Sequence, residues 1–213
     1  MAMSFPTTKQ VRYVIKPVWF LGCLAPFLWL VINALELAGP GLGADPIEAI
    51  QDEMGIWGLR LLLLTLALTP LRRILGKPWP IQLRRMTGLF ALFYVSVHFL
   101  NYLVLDQGFG WQYIIEDVVD RPFITIGFAA LLALIPLGVT STAGWRRRLG
   151  KRWQTLHRLV YPIAILACWH FWWQVKQDIT EPLVYASILA VLLAFRVFKQ
   201  KKPAPVSAGA GNQ

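Results

Sequence analysis

The chain has 213 residues, of which 56% are hydrophobic and only 15% charged, whereas soluble domains carry roughly 25% charged residues. That composition leaves too little polar surface to coat a soluble core, and the length suits about six bilayer-crossing helices of roughly 20 residues with no separate catalytic domain. The net charge of +10 is dispersed in short clusters between apolar runs, which argues against a nucleic-acid partner and for membrane topology signals and contacts to anionic lipid.

The first apolar run covers residues 18–35, behind Lys9, Arg12 and Lys16. It exceeds the about 7–15 residues of a signal-peptide core and reads as an uncleaved span. Further spans are expected at 56–71, which carries Arg60 near its start, and at 87–105, 123–139, 156–175 and 183–198. The stretch 108–121 interleaves Trp111, Tyr113, Ile114 and Ile115 with acids, which suits either a short helix lying in the membrane interface or a loop anchored by aromatics. No internal repeat stands out, and Cys23 and Cys168 lie in apolar runs as packing residues. Residues 201–213 read as a disordered tail, and residues 1–17 as a cytoplasmic N-terminus ahead of a helical domain at 18–200.

Charge sets the orientation. Of the 21 Lys and Arg, all but Arg60, Arg121 and Lys176 lie at the termini or in the segments 72–85 and 146–158. The acids crowd the alternate segments, with Asp45, Glu48, Asp52 and Glu53, then Asp106, Glu116, Asp117 and Asp120, then Asp178 and Glu181. Lys and Arg stay cytoplasmic. An all-α integral membrane bundle of six transmembrane helices with both termini in the cytoplasm satisfies that pattern.

Only three histidines occur, His98, His157 and His170, and all fall in or at the edge of expected spans. Ionisable groups inside a bilayer are costly, so each is a candidate for function. His98 precedes Asp106, and His170 precedes Asp178, by eight residues, or roughly 12 Å of helix in each case. Their spans run in the same direction, so the two rings share a level in the outer half. His157 lies roughly 20 Å deeper on the cytoplasmic side. Two neutral imidazoles at one level can clamp one haem iron axially, which makes His98 and His170 the expected ligands of a b-type haem. Zinc would want about four ligands, and no third His or carboxylate shares their level. Structural histidines and a proton relay, as in a small proton-coupled transporter, are the remaining readings. A haem-free transporter would be expected to show repeats and broken helices.

Several segments carry a resemblance: LGKRWQTLHRLVY from Leu149, RRMTGLF from Arg84, VHFLNY from Val97, RPFITIG from Arg121, TST from Thr140 and HFWWQVK from His170. Together they resemble the MsrQ (YedZ) family of the ferric-reductase-like transmembrane superfamily. The resemblance implies a bacterial inner-membrane electron-transfer subunit that passes electrons, from a cytoplasmic flavin reductase or the quinol pool, to a periplasmic molybdopterin methionine sulfoxide reductase of the MsrP kind. It implies haem b and has been linked with FMN, for which no glycine-rich phosphate loop speaks here. The superfamily often stacks two haems on paired histidines. In this chain the position facing His157 is held by Arg84 and Arg85, so His157 reads as the ligand of a second haem or as a contact to another cofactor. Arg84, Arg85, Arg152 and Arg158 could meet propionates or a flavin phosphate, since guanidinium pairs with such anions bidentately. A ferric or oxygen reductase membrane subunit is the alternative within redox chemistry.

Overall fold

The structure is a computed structural model that describes residues 6–39, 41–175 and 178–198. Among these residues every regular element is a helix. The expected tail, 201–213, lies outside the described residues.

Helix α1 (Thr8–Ala34) opens with a capping box, in which the Thr7 hydroxyl accepts from the Gln10 N–H and the Gln10 side chain accepts from the Thr7 N–H. Pro26 removes one backbone donor in mid-helix. Next to it the buried Tyr94 hydroxyl enters the ladder, donating to the Cys23 carbonyl at 2.8 Å and accepting the Phe27 N–H at 3.0 Å. Helix α2 (Pro46–Leu75) is capped by Asp45, whose carboxylate accepts the Glu48 N–H, and ends on Gly76 in the left-handed conformation. A 3-10 turn (Trp79–Gln82) leads into α3 (Arg84–Asp106), whose last six residues from Asn101 form a π-helix.

The stretch between the third and fourth expected spans is helical: α4 (Trp111–Asp120) leaves Trp111, Ile115 and Val119 exposed one turn apart. Its Asp117 accepts from the Tyr102 hydroxyl at 3.0 Å and pairs with Arg121. Helix α5 (Pro122–Val139) follows, then the short α6 (Ala143–Leu149) and α7 (Lys151–His157), then α8 (Val160–Gln174) and α9 (Thr180–Phe198).

Among the described residues four helices, α1, α2, α3 and α5, are long and apolar enough to cross a membrane. The expected fifth span is divided: α7 ends at His157 and α8 begins at Val160, so Pro162 sits in a first turn that tolerates it rather than kinking a continuous helix. Helix α2 packs along α3 and α5 along α8; α3 then meets α5, and α2 meets α8, which closes a four-helix ring. Met54, Leu66, Ala91, Tyr94, Ile163 and Ala164 belong to one buried apolar core, which also takes in Cys23 and Leu30 of α1. Helix α9 covers the ring's α2 and α8 side, where the Arg60 Nε donates to the Tyr185 hydroxyl at 2.8 Å and the guanidinium lies over the Trp57 ring. That arrangement accounts for the one arginine in the middle of an apolar helix. Cys23 and Cys168 are free and buried.

Candidate functional site

His98 projects from α3 and His170 from α8, two helices that lie diagonally across the four-helix ring, and the structure brings their half-buried imidazoles together. The ring centroids are 6.1 Å apart and the ring planes are nearly perpendicular, at 86°. Two imidazoles gripping one metal from opposite sides, each through a bond of about 2 Å, have centroids roughly 6 Å apart. The separation therefore fits one iron between them.

The hydrogen bonds decide which nitrogen each ring offers. His98 Nδ1 lies 2.8 Å from the Gln51 carbonyl and His170 Nδ1 lies 2.8 Å from the Phe123 carbonyl. A carbonyl only accepts, so each Nδ1 carries the proton and each Nε2 is left as the lone-pair nitrogen a metal requires. The Gln51 amide nitrogen also lies 3.3 Å from His98 Nε2, while its oxygen accepts from Asn101 Nδ2 at 2.7 Å. Metal ligation at His98 needs that amide to turn aside. Asn101 is buried, and its Oδ1 has no hydrogen-bond partner. Among the described residues no group of three or more His, Cys, Asp or Glu side chains is arranged to hold a metal ion.

Each imidazole rests on a glycine. A Cβ on Gly55 would stand 3.0 Å from His98 Nδ1 and Cε1, and one on Gly127 would stand 2.8 Å from His170 Nδ1 and 2.9 Å from Cε1. Real Cβ atoms do not approach a ring this closely without a shift, so both rings fit only because these positions lack side chains.

His157 is not brought to the other two. It stacks on Trp153 at 4.0 Å between centroids, and its Nε2 lies 3.0 Å from the Thr140 hydroxyl. That hydroxyl donates to the Pro136 carbonyl, and the Thr140 carbonyl accepts from Trp153 Nε1 at 2.9 Å. With the Thr140 proton committed, His157 Nε2 must be the donor, which leaves Nδ1 as its lone-pair nitrogen. Its tautomer is the reverse of the other two. Arg84, Arg85, Arg152 and Arg158 lie on the helix ends and turns at this same end of the bundle; Arg84 is half-buried and the others are exposed.

A family model described as the ferric reductase like transmembrane component matches residues 54–168. A protein of Xanthomonas campestris pv. campestris (strain 8004) is 50% identical over 187 residues, covering 88% of this chain and 83% of its own length. One from Rhodospirillum rubrum is 52% identical over 179 residues, covering 84% and 85%. One from Xanthomonas oryzae pv. oryzae (strain MAFF 311018) is 48% identical over 196 residues, covering 91% and 90%. All three are described as the protein-methionine-sulfoxide reductase heme-binding subunit MsrQ. This chain belongs to the MsrQ family.

For an MsrQ chain the sequence alone yields the three histidines but not what holds them. Gln51, Phe123, Gly55 and Gly127 are separated from their imidazoles by whole spans, and the carbonyls act through backbone atoms that no side-chain pattern reports. Thr140 and Trp153 were visible only inside motifs, with no sign that one threonine would serve both Trp153 and His157.

Proposed function

We propose that this chain is the membrane b-type cytochrome of a methionine-sulfoxide repair system, with His98 and His170 as the axial ligands of haem. The reading places a six-helix domain at residues 18–200 in a bacterial inner membrane, with both termini cytoplasmic. Electrons enter from a cytoplasmic flavin reductase or the quinol pool and leave to a periplasmic molybdopterin reductase of the MsrP kind. The observation that carries it is the pair of rings 6.1 Å apart whose Nδ1 atoms are both committed to carbonyls. The relatives' description as heme-binding subunits of a protein-methionine-sulfoxide reductase supports the same reading.

Haem bound there supplies a one-electron carrier whose potential the protein tunes through ligand basicity and a low-dielectric shell. His98 and His170 hold it at one depth. The Gln51 and Phe123 carbonyls fix ring orientation and make the opposite nitrogen a better ligand. His157, with Arg84, Arg85, Arg152 and Arg158 around its end of the bundle, forms the cytoplasmic entry, either to a second haem or to the anionic groups of a donor. No flavin site within the chain is part of this reading. The chain makes and breaks no substrate bond itself. The match to the ferric reductase like component favours a ferric reductase as the second reading, which requires no periplasmic protein acceptor.

Visible spectra of the purified protein, oxidised and then reduced, test the assignment. The wild type should show a low-spin b-type spectrum, and His98→Ala or His170→Ala should lose it while the protein still inserts. Retention of the full reduced spectrum in both single variants would sink the pairing. Reduction of a purified periplasmic methionine sulfoxide reductase by the loaded protein separates the repair reading from ferric reduction.

A further inference from the structure

The surroundings of the two imidazoles are the same twice over. His98 Nδ1 meets the carbonyl 47 residues before it in the chain, and so does His170 Nδ1. In each case the ring packs on a glycine four residues beyond that carbonyl, Gly55 after Gln51 and Gly127 after Phe123. Those four residues are one helical step, because the carbonyl's own helical partner is the N–H of that glycine. A missing Cβ there opens the side of the helix to the carbonyl's second lone pair, and the imidazole takes it.

The likeness extends beyond the rings. The last turn of α2 and the residues after it read Arg72-Arg73-Ile74-Leu75-Gly76-Lys77-Pro78-Trp79, and α6 with the start of α7 reads Arg146-Arg147-Arg148-Leu149-Gly150-Lys151-Arg152-Trp153, which differ at only two positions. Gly76 and Gly150 both take positive φ, 63° and 51°, with different ψ, 14° and −123°. The packing also matches: exchanging α2 with α5 and α3 with α8 maps every contact of the four-helix ring onto another, α2 with α8 onto α5 with α3.

We propose that the haem site is built on an internal duplication, α2–α3 and α5–α8, with Gly55 and Gly127 as paired positioning residues that let each axial imidazole donate to a helix carbonyl. This rests on the haem reading given above. The two half-sites approach the iron position from opposite sides of an approximate two-fold axis, and their carbonyls hold the rings crossed at 86°. Gly127 is the tighter of the two, since a Cβ there would intrude to 2.8 Å, against 3.0 Å at Gly55.

The test uses the full-length, haem-loaded protein in detergent and compares Gly55→Ala, Gly127→Ala and Gly88→Ala. Gly88 also lies where α3 faces α2, but a Cβ there would stand 3.7 Å from Thr65, an ordinary contact away from both imidazoles, so it controls for the substitution itself. Haem per protein, the ferric electron paramagnetic resonance spectrum and the midpoint potential are recorded for each. Both ring-contact variants should displace the low-spin signal and raise the potential, because a lengthened Nδ1–carbonyl bond makes the imidazole a weaker base. The shift should be larger for Gly127→Ala, and Gly88→Ala should leave signal and potential unchanged. The wild type gives a reading that needs no variant: perpendicular imidazoles produce a strongly anisotropic low-spin signal with a large gmax. A wild-type signal of the parallel-ring type overturns the proposal. So does an equal displacement in Gly88→Ala, or no displacement in either ring-contact variant. If instead His98→Ala and His170→Ala keep the haem spectrum, the haem reading itself has failed.

Discussion

His157 differs from the other two histidines in the nitrogen that carries its proton, and that difference follows from one hydroxyl. The Thr140 oxygen gives its proton to Pro136 and so can only accept from His157 Nε2. The opposite face of the imidazole is closed by Trp153, itself held through Nε1 on the same threonine. His157 is thus fixed in place, with Nδ1 as its one available acceptor. If it serves electron entry, Thr140→Val should leave the haem spectrum of His98 and His170 intact while slowing reduction of the periplasmic acceptor roughly tenfold or more, the scale on which loss of a ligand-orienting contact acts. His157→Ala should match it. Haem content and reductase turnover measured on the same preparations check this, and an unchanged rate in both variants would leave His157 as a packing residue. The closeness of His98 and His170 was legible in the sequence because rise per residue is fixed. Their tautomers were not, because they depend on which carbonyl or hydroxyl each ring meets.

Among the elements, α1 is held to the four-helix ring by polar contacts at two heights. Near its start the Trp19 Nε1 donates to the Thr87 hydroxyl at 3.0 Å. Near Pro26 the Tyr94 hydroxyl stands between the Cys23 carbonyl and the Phe27 N–H, the two groups that would pair directly in an unbroken helix. Tyr94 is fully buried, so no water replaces it. Tyr94→Phe should strand both groups and destabilise the protein by about 1–3 kcal/mol for each, with the bilayer offering no other partner. Thermal unfolding of the detergent-solubilised variant measures this; an unchanged midpoint would mean that α1 closes its own ladder once the hydroxyl is gone. Helix positions were readable from apolar runs in α1, α2, α3 and α5 because a span must be long and continuous. Where the rule relaxes, reading became harder. Pro162 suggested a kink, yet the chain breaks earlier, between His157 and Val160. The amphipathic stretch around Trp111 left helix and loop equally open until its ten residues were seen as α4.

At the scale of the whole molecule the course of α8 decides the topology, since among the described residues only α1, α2, α3 and α5 meet the length and hydropathy of a span. Helix α8 has 15 residues, or roughly 22 Å, short of a hydrocarbon core of about 30 Å. A crossing by α8 would account for the separation of the rings. His98 lies eight residues from Asp106 and His170 eight from Asp178, and rings 6.1 Å apart must share one depth. Asp178 and Asp106 then emerge on the same side. In that case the missing length would come from α7, with Lys151 and Arg152, and Arg158 in the turn, keeping charge at the membrane surface on long stems. A reporter at the C-terminus cannot decide this, because four and six spans both leave the two termini on the same side. A single cysteine can. Asp178 and Lys151 are both exposed, and the native Cys23 and Cys168 are buried. Asp178→Cys should react with a membrane-impermeant maleimide applied to intact spheroplasts, and Lys151→Cys only after permeabilisation. If the cysteine at 178 is also protected until the membrane is opened, α8 does not cross, and the shared depth of His98 and His170 must arise from a re-entrant segment instead of a span.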